Sequence, residues 1–549
     1  MTEAPPSGPA DDTGVVAETS NTTIDAGGPD VPPAIEPSQS EPGWLLVLVL
    51  GLLGSFTLLL HSPSYLLTTP FWLDEAWVAV ASKAPFDRLL VVTSSTPLGW
   101  TLTMLMVPGG GEQRYRLLPL AFAVGSVLVA FLLARDLGWT DCRHAYVAGV
   151  AAAVAAAVVP VALLRNDLKQ YTGDAFFAML LVWLMVRLEQ HWTRSRLITL
   201  VVASIVSSFV STTSLFVTAS LFISLVGMSL VGRDRSRIIE SVVATAAAGF
   251  GTLAIAVLFI LPNANDSLSG YWADWFLSLT DGINGLGETV WERLADLSSL
   301  MGFAWPVVLV LLTIVGITSM FLRGRPVAAV TIPLLWLEML ILGLLDRYPF
   351  LDQRTSHFLL VLTVVVVAIG VADIAFRLAA VRQMLGVVFL VAAAAVYFAG
   401  TSEYVGRPTI PDEDVRSQVR YLEQNASAGD TILVSVLGGY GFAYYWDLDD
   451  PVFFDTTKFA TGFGVGYQDD DIIIASGRSF EEVDDALARA IDQSMAAQSS
   501  GRLWLVRTHI NGTEAAAWSR ALDERTLEFE LINTGTEPLT LIESDGVRR

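Results

Sequence analysis

Residues 43–80 read GWLLVLVLGLLGSFTLLLHSPSYLLTTPFWLDEAWVAV. The apolar run that opens this stretch is long enough to cross a bilayer core of about 30 Å as a helix. Two adjacent carboxylates follow it, Asp74 and Glu75, and they stand between Trp72 and Trp77. A carboxylate at the centre of a membrane helix costs roughly 2.5 to 3.5 kcal/mol, whereas indole rings favour the membrane–water boundary. The acidic pair is therefore expected in an interfacial loop.

The rest of the chain has the composition of a membrane protein. Of its 549 residues 53% are hydrophobic and 16% are charged, and its mean hydropathy of +0.54 is far above that of a soluble domain. Apolar runs of roughly 17 to 25 residues recur along residues 44–400, and we count about eleven. Their centres lie near Val49, Gly125, Ala155, Leu181, Ile205, Leu221, Ala248, Leu309, Leu335, Val365 and Val391. The sequence predicts a mainly α fold, a polytopic transmembrane helical bundle. The run from Leu98 to Val107 is too short to span and is expected to form a half-buried or juxtamembrane helix.

Charge divides the chain into three parts. Residues 1–42 carry 8 acids and no base, residues 43–402 carry 21 of each, and residues 403–549 carry 26 acids and 12 bases, which gives the net charge of −22. Acidic ends of this kind argue against binding to nucleic acid. Residues 1–42 contain few large apolar groups, so we expect a disordered acidic tail. The single cysteine, Cys142, excludes an intramolecular disulfide and a multi-cysteine metal site.

Arginines mark alternate loops between the predicted spans. They are Arg135 and Arg143; Arg187, Arg194 and Arg196; Arg233, Arg235 and Arg237; Arg323 and Arg325; and Arg377 and Arg382. The positive-inside rule places these loops in the cytoplasm. The N-terminus is then cytoplasmic as well, and residues 403–549 lie outside. The excess of arginine over lysine and the Ala/Val-rich spans are typical of a G+C-rich bacterial gene, so we expect a multi-pass protein of a bacterial plasma membrane.

Residues 403–549 alternate segments typical of helices and strands. TILVSVL from Thr431 and RLWLVRTH from Arg502 are typical of buried strands, and LEFELINTGTEPLTLIES at the end suggests a hairpin. Ser479 and Glu482 have the spacing of a capping box at the start of a helix. We predict a small C-terminal extracytoplasmic α/β domain.

The outward loops hold most of the unusual chemistry of the membrane part. Besides the acidic pair they contain LLRNDLKQYTGD, which ends at Asp174, and DRYPFLDQRTSH, which begins at Asp346. A carboxylate of the pair can act as a general base on a hydroxyl, and a departing anion needs fixed cations and hydroxyl donors. The candidates for the second role are Lys169, Tyr171, Arg347, Tyr348 and Arg354. Lysine is rare here, because the chain has three lysines and thirty arginines.

Each candidate also has an ordinary structural explanation. The acidic pair could be a solvated turn, Lys169 and Arg354 could be snorkelling anchors, and the tyrosines could belong to an aromatic belt. The combination favours a site, since acids, cations and tyrosines fall in three loops on one side of the membrane.

These motifs together resemble a known family. The acidic pair of the first outer loop is followed by SSTPLGW, from Ser94 to Trp100, and by EQRYRLLP, from Glu112 to Pro119. This order is similar to that of the polytopic GT-C glycosyltransferases, most of all the family-39-like group of protein O-mannosyltransferases and aminoarabinose transferases. LKQYTGD and RYPFLDQR resemble motifs of bacterial members. Thr96-Pro97 replaces the double proline that is common in the group.

The resemblance implies an activity and a set of roles. The donor would be a polyprenyl-phosphate sugar, the acceptor an extracytoplasmic glycan, lipid or protein, and the transfer would invert the anomeric carbon. Asp74 would be the general base, and Glu75 would orient the acceptor or help to hold a divalent cation, Mg²⁺ or Mn²⁺. Lys169, Arg354 and Arg347 would stabilise the departing phosphate, assisted by Tyr171 and Tyr348.

Other functions are compatible with a polytopic bundle. A transporter or flippase for a lipid-linked substrate would place its binding groups near the membrane midplane, often in two repeated halves, and no such repeat is visible. A structural envelope component whose outer domain binds a partner is a further alternative. Among enzymes, a ligase that uses a diphosphate-linked glycan has the same requirements.

Overall fold

The structure, a computed structural model, describes residues 43–60, 68–93, 96–109, 111–159, 168–263, 266–280, 282–402, 413–496 and 502–542. The predicted tail at residues 1–42 lies outside them. Eleven of the described helices contain the eleven predicted centres. They are α1 (Gly43–Leu60), α5 (Gly111–Arg135), α6 (Cys142–Val158), α7 (Tyr171–Gln190), α8 (Arg194–Val210), α9 (Ser214–Gly232), α10 (Arg235–Ile255), α13 (Pro306–Leu322), α14 (Pro326–Leu344), α15 (His357–Val381) and α16 (Gln383–Thr401).

Eight of these helices are long and apolar enough to cross a membrane. The other three, α6, α8 and α13, have 17 residues each, and α8 carries two arginines in its first turn. A π-helical segment, Ala256–Ile260, extends α10. The predicted polytopic helical bundle is therefore confirmed.

The remaining helices of the membrane part are short or lie between the spans. They are α2 (Leu73–Ala81), α3 (Leu89–Val92), α4 (Leu98–Met106), α11 (Asp266–Tyr271) and α12 (Gly282–Leu300). Short 3₁₀ segments cover Phe86–Arg88, Leu261–Asn263 and Ala273–Trp275. The predicted short helix at Leu98 to Val107 is present as α4.

Helix α15 lies at the centre of the bundle, and most of its first sixteen residues are buried. It packs against α6, α7, α13 and α16. Glycines allow the closest approach, because a Cβ on Gly370 would lie 2.6 Å from the carbonyl oxygen of Leu312 on α13 and 2.9 Å from the amide nitrogen of Gly316. Small residues of this kind let membrane helices pack backbone to backbone.

The arginine-bearing loops meet at one end of the bundle. Arg187, at the end of α7, pairs with Asp136 after α5 at 3.2 Å, and Arg323, at the end of α13, pairs with Asp373 of α15 at 2.6 Å. Glu189 accepts from the amide of Val327 at 2.7 Å, which ties α7 to the start of α14. These pairs support the predicted sidedness of the loops, since loops on opposite sides of a membrane could not make them.

Residues 413–496 and 502–542 form a small α/β region at the other end. Its helices are α17 (Val415–Asn425), α18 (Gly438–Tyr445), α19 (Phe480–Ala496) and α20 (Gly512–Glu524). Its strands are β1 (Thr431–Val434), β2 (Val452–Asp455), β3 (Phe463–Gly466), β4 (Ile472–Ile474), β5 (Leu503–Val506), β6 (Phe529–Ile532) and β7 (Leu539–Ile542). The main sheet has the order β4-β1-β5-β7-β6, in which β4, β1 and β5 are parallel and β7 is antiparallel to both neighbours.

The sheet agrees with the predicted α/β domain. Strands β1 and β5 are the predicted buried strands, β6 and β7 form the predicted hairpin, and Ser479 and Glu482 exchange the bonds of the predicted capping box. The exact border with the membrane part stays a prediction, because residues 403–412 lie outside the described ranges.

Candidate active site

The acidic pair lies in a helix and not in the expected interfacial loop. Asp74 and Glu75 occupy the first turn of α2, and both are buried. Negative charge is favoured at a helix N-terminus, where the backbone N–H groups are unpaired. The two carboxylates therefore stand at a helix N-terminus, where they are buried by the rest of the protein and are not solvated as in an interfacial loop.

Glu75 turns away from any open space. Its two oxygens accept from Arg116 at 2.9 and 2.5 Å, and both side chains are almost fully buried. Arg116 also donates to the carbonyls of Thr69 and Pro70 at 2.7 and 3.1 Å. Burial raises the pKa of Glu75, and the neighbouring guanidinium opposes that rise. This arrangement fits an anchor that fixes α2, with both carboxylate oxygens of Glu75 engaged by Arg116.

Asp74 points in a different direction from Glu75 and meets the two other outer motifs. Its Oδ2 lies 3.0 Å from Nζ of Lys169 and also accepts from Arg354. Burial lowers the pKa of Arg354 to about 10, so its guanidinium stays charged at neutral pH. Three segments far apart in sequence thus converge on one carboxylate, as the shared sidedness of the motifs predicts.

Aromatic rings surround these charges. The ammonium of Lys169 lies 4.1 Å from the ring centre of Trp77, and the guanidinium of Arg354 lies 5.8 Å from Trp72 and 5.7 Å from Tyr171. Cations are stabilised over aromatic faces, most strongly where water is excluded. Within the described part of the chain, neither indole N–H of Trp72 or Trp77 has an acceptor, although both are buried. Both tryptophans also line the cavity described below, whereas the sequence indicated only interfacial anchors.

The loop that carries Arg354 is held in a fixed shape. Asp352 accepts from the amides of Arg354 and Thr355 at 3.0 and 2.9 Å, and the hydroxyl of Tyr348 donates to the carbonyl of Thr355 at 2.9 Å. Leu351 has a φ of 58°, a conformation that costs a bulky residue of order 1–3 kcal/mol. Strain of this kind persists where surrounding contacts impose it, and it is frequent at functional sites.

Tyr348 and Arg347, the other two candidate phosphate-binding residues of this loop, have different surroundings. Burial raises the pKa of Tyr348 well above its ordinary value. Because its hydroxyl donates a hydrogen bond to the carbonyl of Thr355, Tyr348 helps to fix the shape of the loop. Arg347 is exposed, lines the cavity described below, and forms no ion pair with any described carboxylate. Arg293 of α12 braces the loop from outside by donating to the carbonyl of Phe350 at 2.9 Å.

Lys169 is placed by the motif that contains Pro97. Trp100 of α4 is fully buried, and its indole N–H donates to the carbonyl of Leu168 at 2.6 Å. Gly173 leaves room for that indole, because a Cβ there would lie 2.7 Å from a ring carbon of Trp100. Asp174, the residue after Gly173, accepts from Ser211 at 2.5 Å. The motif therefore positions the backbone on which Lys169 stands.

A cavity of about 960 Å³ opens above this group. Asp74, Lys169, Tyr171, Arg347 and Arg354 line it, together with Asp174. One flank is apolar and is formed by Phe209 and by the π-helical end of α10 with Ile255, Phe259 and Leu261. The C-terminal region supplies a further part of the wall with Leu437, Lys458, Phe459, Arg478 and His509. The cavity thus combines a charged floor, an apolar flank and a wall from the α/β region.

The described residues do not fit a divalent cation held by carboxylates. Among them, no three His, Cys, Asp or Glu side chains come together. Asp74 is paired with two cations, and Glu75, to which the resemblance assigned a role near a metal, gives both oxygens to Arg116. Mg²⁺ and Mn²⁺ prefer several oxygen ligands, which this group does not offer.

No protein-family model and no curated protein matches the sequence. Solved structures do match in fold. The oligosaccharyltransferase AglB from Archaeoglobus fulgidus, in complex with an inhibitory peptide and a dolichol-phosphate, is 12% identical with a TM-score of 0.50 over 90% of this chain and 74% of that chain. The same organism's oligosaccharyltransferase in the apo form is 12% identical with a TM-score of 0.48 over 73% of this chain, which spans 63% of that chain's length. ArnT from Cupriavidus metallidurans bound to undecaprenyl phosphate is 14% identical with a TM-score of 0.49 over 92% and 98%.

At these identities the likeness concerns the architecture. The match with AglB covers both the helical bundle and the C-terminal α/β region. The expected GT-C-like fold, a polytopic helical bundle with a small C-terminal α/β region, is therefore confirmed.

Proposed function

We propose that this chain is an integral-membrane glycosyltransferase that transfers a sugar from a polyprenyl-phosphate donor to an acceptor outside a bacterial plasma membrane. The observation that carries the proposal is the convergence of Lys169 and Arg354 on Asp74 at the floor of a cavity with an apolar flank. Cations and a carboxylate in one buried place serve the two requirements of such a transfer, a stabilised leaving phosphate and a base.

The proposed reaction is a single displacement. Asp74 removes the proton of the acceptor hydroxyl while its oxygen forms a bond to the anomeric carbon. The bond from that carbon to the phosphate oxygen breaks, and both of its electrons leave with the polyprenyl phosphate. Lys169 and Arg354, which contact Asp74 in the described state, compensate the added negative charge of the phosphate. The proton passes from Asp74 to solvent or product before the next turnover.

The walls of the cavity suit the two parts of the donor. A polyprenyl tail needs an apolar path continuous with lipid, and Phe209, Ile255 and Phe259 line such a flank. The phosphate needs charge, which Lys169, Arg354 and the exposed Arg347 supply. AglB was captured with a dolichol-phosphate, and the shared fold makes a lipid-linked phosphate the ligand class that we assign to this cavity.

The acceptor is expected to enter from the α/β region. Lys458 and Arg478 lie on that wall of the cavity, although residues 403–549 carry 26 acids and 12 bases. An acceptor held there would present its hydroxyl to Asp74 from the side opposite the donor, as inversion requires. Trp72 and Trp77 line the cavity, and their indole N–H groups, which have no acceptor among the described residues, are suited to hydrogen bonds with the sugar.

Asp74→Asn tests the proposal. The amide keeps the size of the side chain and cannot take the proton, so transfer should fall by about 10²- to 10⁴-fold. Binding of undecaprenyl phosphate should be retained. Asp346→Asn is the matched control, because Asp346 also lines the cavity and its φ of 54° is tolerated by asparagine. Wild-type transfer by Asp74→Asn in normally inserted protein would refute the base assignment.

A further inference from the structure

The helix that carries Asp74 is completed by the C-terminal region. Trp72 occupies the N-cap position of α2 and has no side-chain oxygen, so it cannot accept from the first turn. The N–H of Leu73 instead donates to Oε2 of Glu413 at 2.8 Å. Glu413 is 340 residues away in sequence, and its side chain is only 7% exposed. A buried carboxylate from another part of the chain therefore takes the place of a local cap.

The second oxygen of Glu413 is also engaged. Oε1 lies 2.5 Å from Nδ1 of His509, and His509 lines the cavity. His509 adopts a left-handed φ of 51°, and Arg478 donates to its carbonyl at 3.2 Å. Both carboxylate oxygens are thus fixed, one on α2 and one on the cavity wall.

Further contacts fasten the strand of chain that leads into α2. The amide of Phe71 donates to the hydroxyl of Tyr445 at 2.7 Å, and that hydroxyl donates in turn to Glu112. Arg416 pairs with Glu112 at 2.6 Å and donates to the carbonyl of Thr68 at 2.6 Å. The residues that immediately precede Asp74 are thus bonded to α17 and α18 as well as to the bundle.

We infer that Glu413 is a positioning residue for Asp74, through which the C-terminal region sets the direction of the first turn of α2. The inference rests on the proposed function, because it concerns the same carboxylate. Reacting groups must be held within fractions of an ångström, and a displacement of about 1 Å can cost 10²-fold in rate. Loss of the Glu413 bond frees the N–H of Leu73 and lets the first turn fray, which moves Asp74 away from Lys169 and Arg354.

Hydrogen–deuterium exchange on the purified full-length protein tests the inference without any substrate. Glu413→Ala should raise exchange in peptides that cover residues 68–82, while β1 and β5 exchange as in the wild type. Glu413→Gln keeps an oxygen that can accept from Leu73 and should restore most of the protection against exchange. If the alanine variant fails to fold, the glutamine variant is compared with the wild type in its place. Asp430→Ala is the matched control, since Asp430 is a buried carboxylate of the same region that accepts from Arg502 and Trp504. Wild-type exchange at residues 68–82 in Glu413→Ala would overturn the inference.

Transfer kinetics supply the second readout. Glu413→Ala should lower kcat by about 10- to 100-fold with the acceptor KM unchanged, and Glu413→Gln should lie between it and the wild type. An equal loss in Asp430→Ala would mean a general effect on folding and would contradict a positioning role. If the wild-type protein transfers no sugar, the proposed function fails while the exchange result still decides the role of Glu413.

Discussion

The ammonium of Lys169 lies 3.0 Å from the carboxylate of Asp74 and 4.1 Å from the ring centre of Trp77. One side chain thus touches both the proposed base and an aromatic ring from the same helix. The pair is buried, so its charges interact in a medium that screens them less than water does. A donor phosphate in this place would exchange one anionic partner of Lys169 for another.

Neutral replacement of the two cations should weaken donor binding. Lys169→Gln and Arg354→Gln each remove a charge-assisted hydrogen bond, which contributes about 1.5 to 3 kcal/mol. Undecaprenyl phosphate should therefore bind roughly 10- to 100-fold more weakly, as measured by native mass spectrometry in detergent. Arg382→Gln, in a loop at the other end of the bundle, should bind like the wild type. Unchanged binding in both cavity variants would show that the donor phosphate does not bind at Lys169 and Arg354.

Breaking the buried pair between Glu75 and Arg116 should destabilise the protein. Glu75→Ala leaves an unpaired guanidinium in the interior, at a cost of about 3 to 5 kcal/mol. The unfolding temperature in detergent should fall clearly. Glu75→Gln with Arg116→Met removes both charges and should recover much of the loss. If the double variant is stable but inactive while Asp74 is intact, Glu75 has the direct catalytic role that its position does not support.

Gly173→Ala should disturb the placement of Lys169 without touching a charge. The added Cβ would lie 2.7 Å from the ring of Trp100, whose N–H holds Leu168. Overpacking of this kind typically costs about 1 to 3 kcal/mol, and donor binding should weaken as well. Gly249→Ala on α10 is the control, because nothing lies within 4 Å of its Cβ position. Equal stability and donor binding in the two variants would show that the contact with Trp100 is unimportant.

The single cysteine offers a test of orientation. Cys142 is exposed at the start of α6, in a loop predicted to be cytoplasmic. A membrane-impermeant maleimide should leave it unlabelled in intact cells and label it after the membrane is opened. Asp485→Cys in a Cys142→Ser background places a thiol on the exposed face of α19 and should be labelled in intact cells. The reverse pattern would invert the predicted topology.

The helical bundle could be predicted from the sequence alone. Each predicted span centre falls in a helix, because a long apolar run has only one stable form in lipid, in which all its backbone groups are paired internally. The strands at Thr431 and Leu503 were equally visible, since short apolar runs bounded by turns are a local signal. The alternation of arginine-bearing loops was enough to predict that Asp74, Lys169 and Arg354 lie on the same side of the membrane.

Which of the two adjacent carboxylates faces the cavity depends on tertiary packing and could not be predicted from the sequence. Asp74 and Glu75 are equivalent in sequence, but they point about one third of a helical turn apart, and Arg116 occupies the direction of Glu75. The same holds for Glu413, because nothing near it in sequence reveals that its partner is the amide of Leu73. Contacts of this kind depend on the packing of distant segments, and a local pattern of residues carries no information about them.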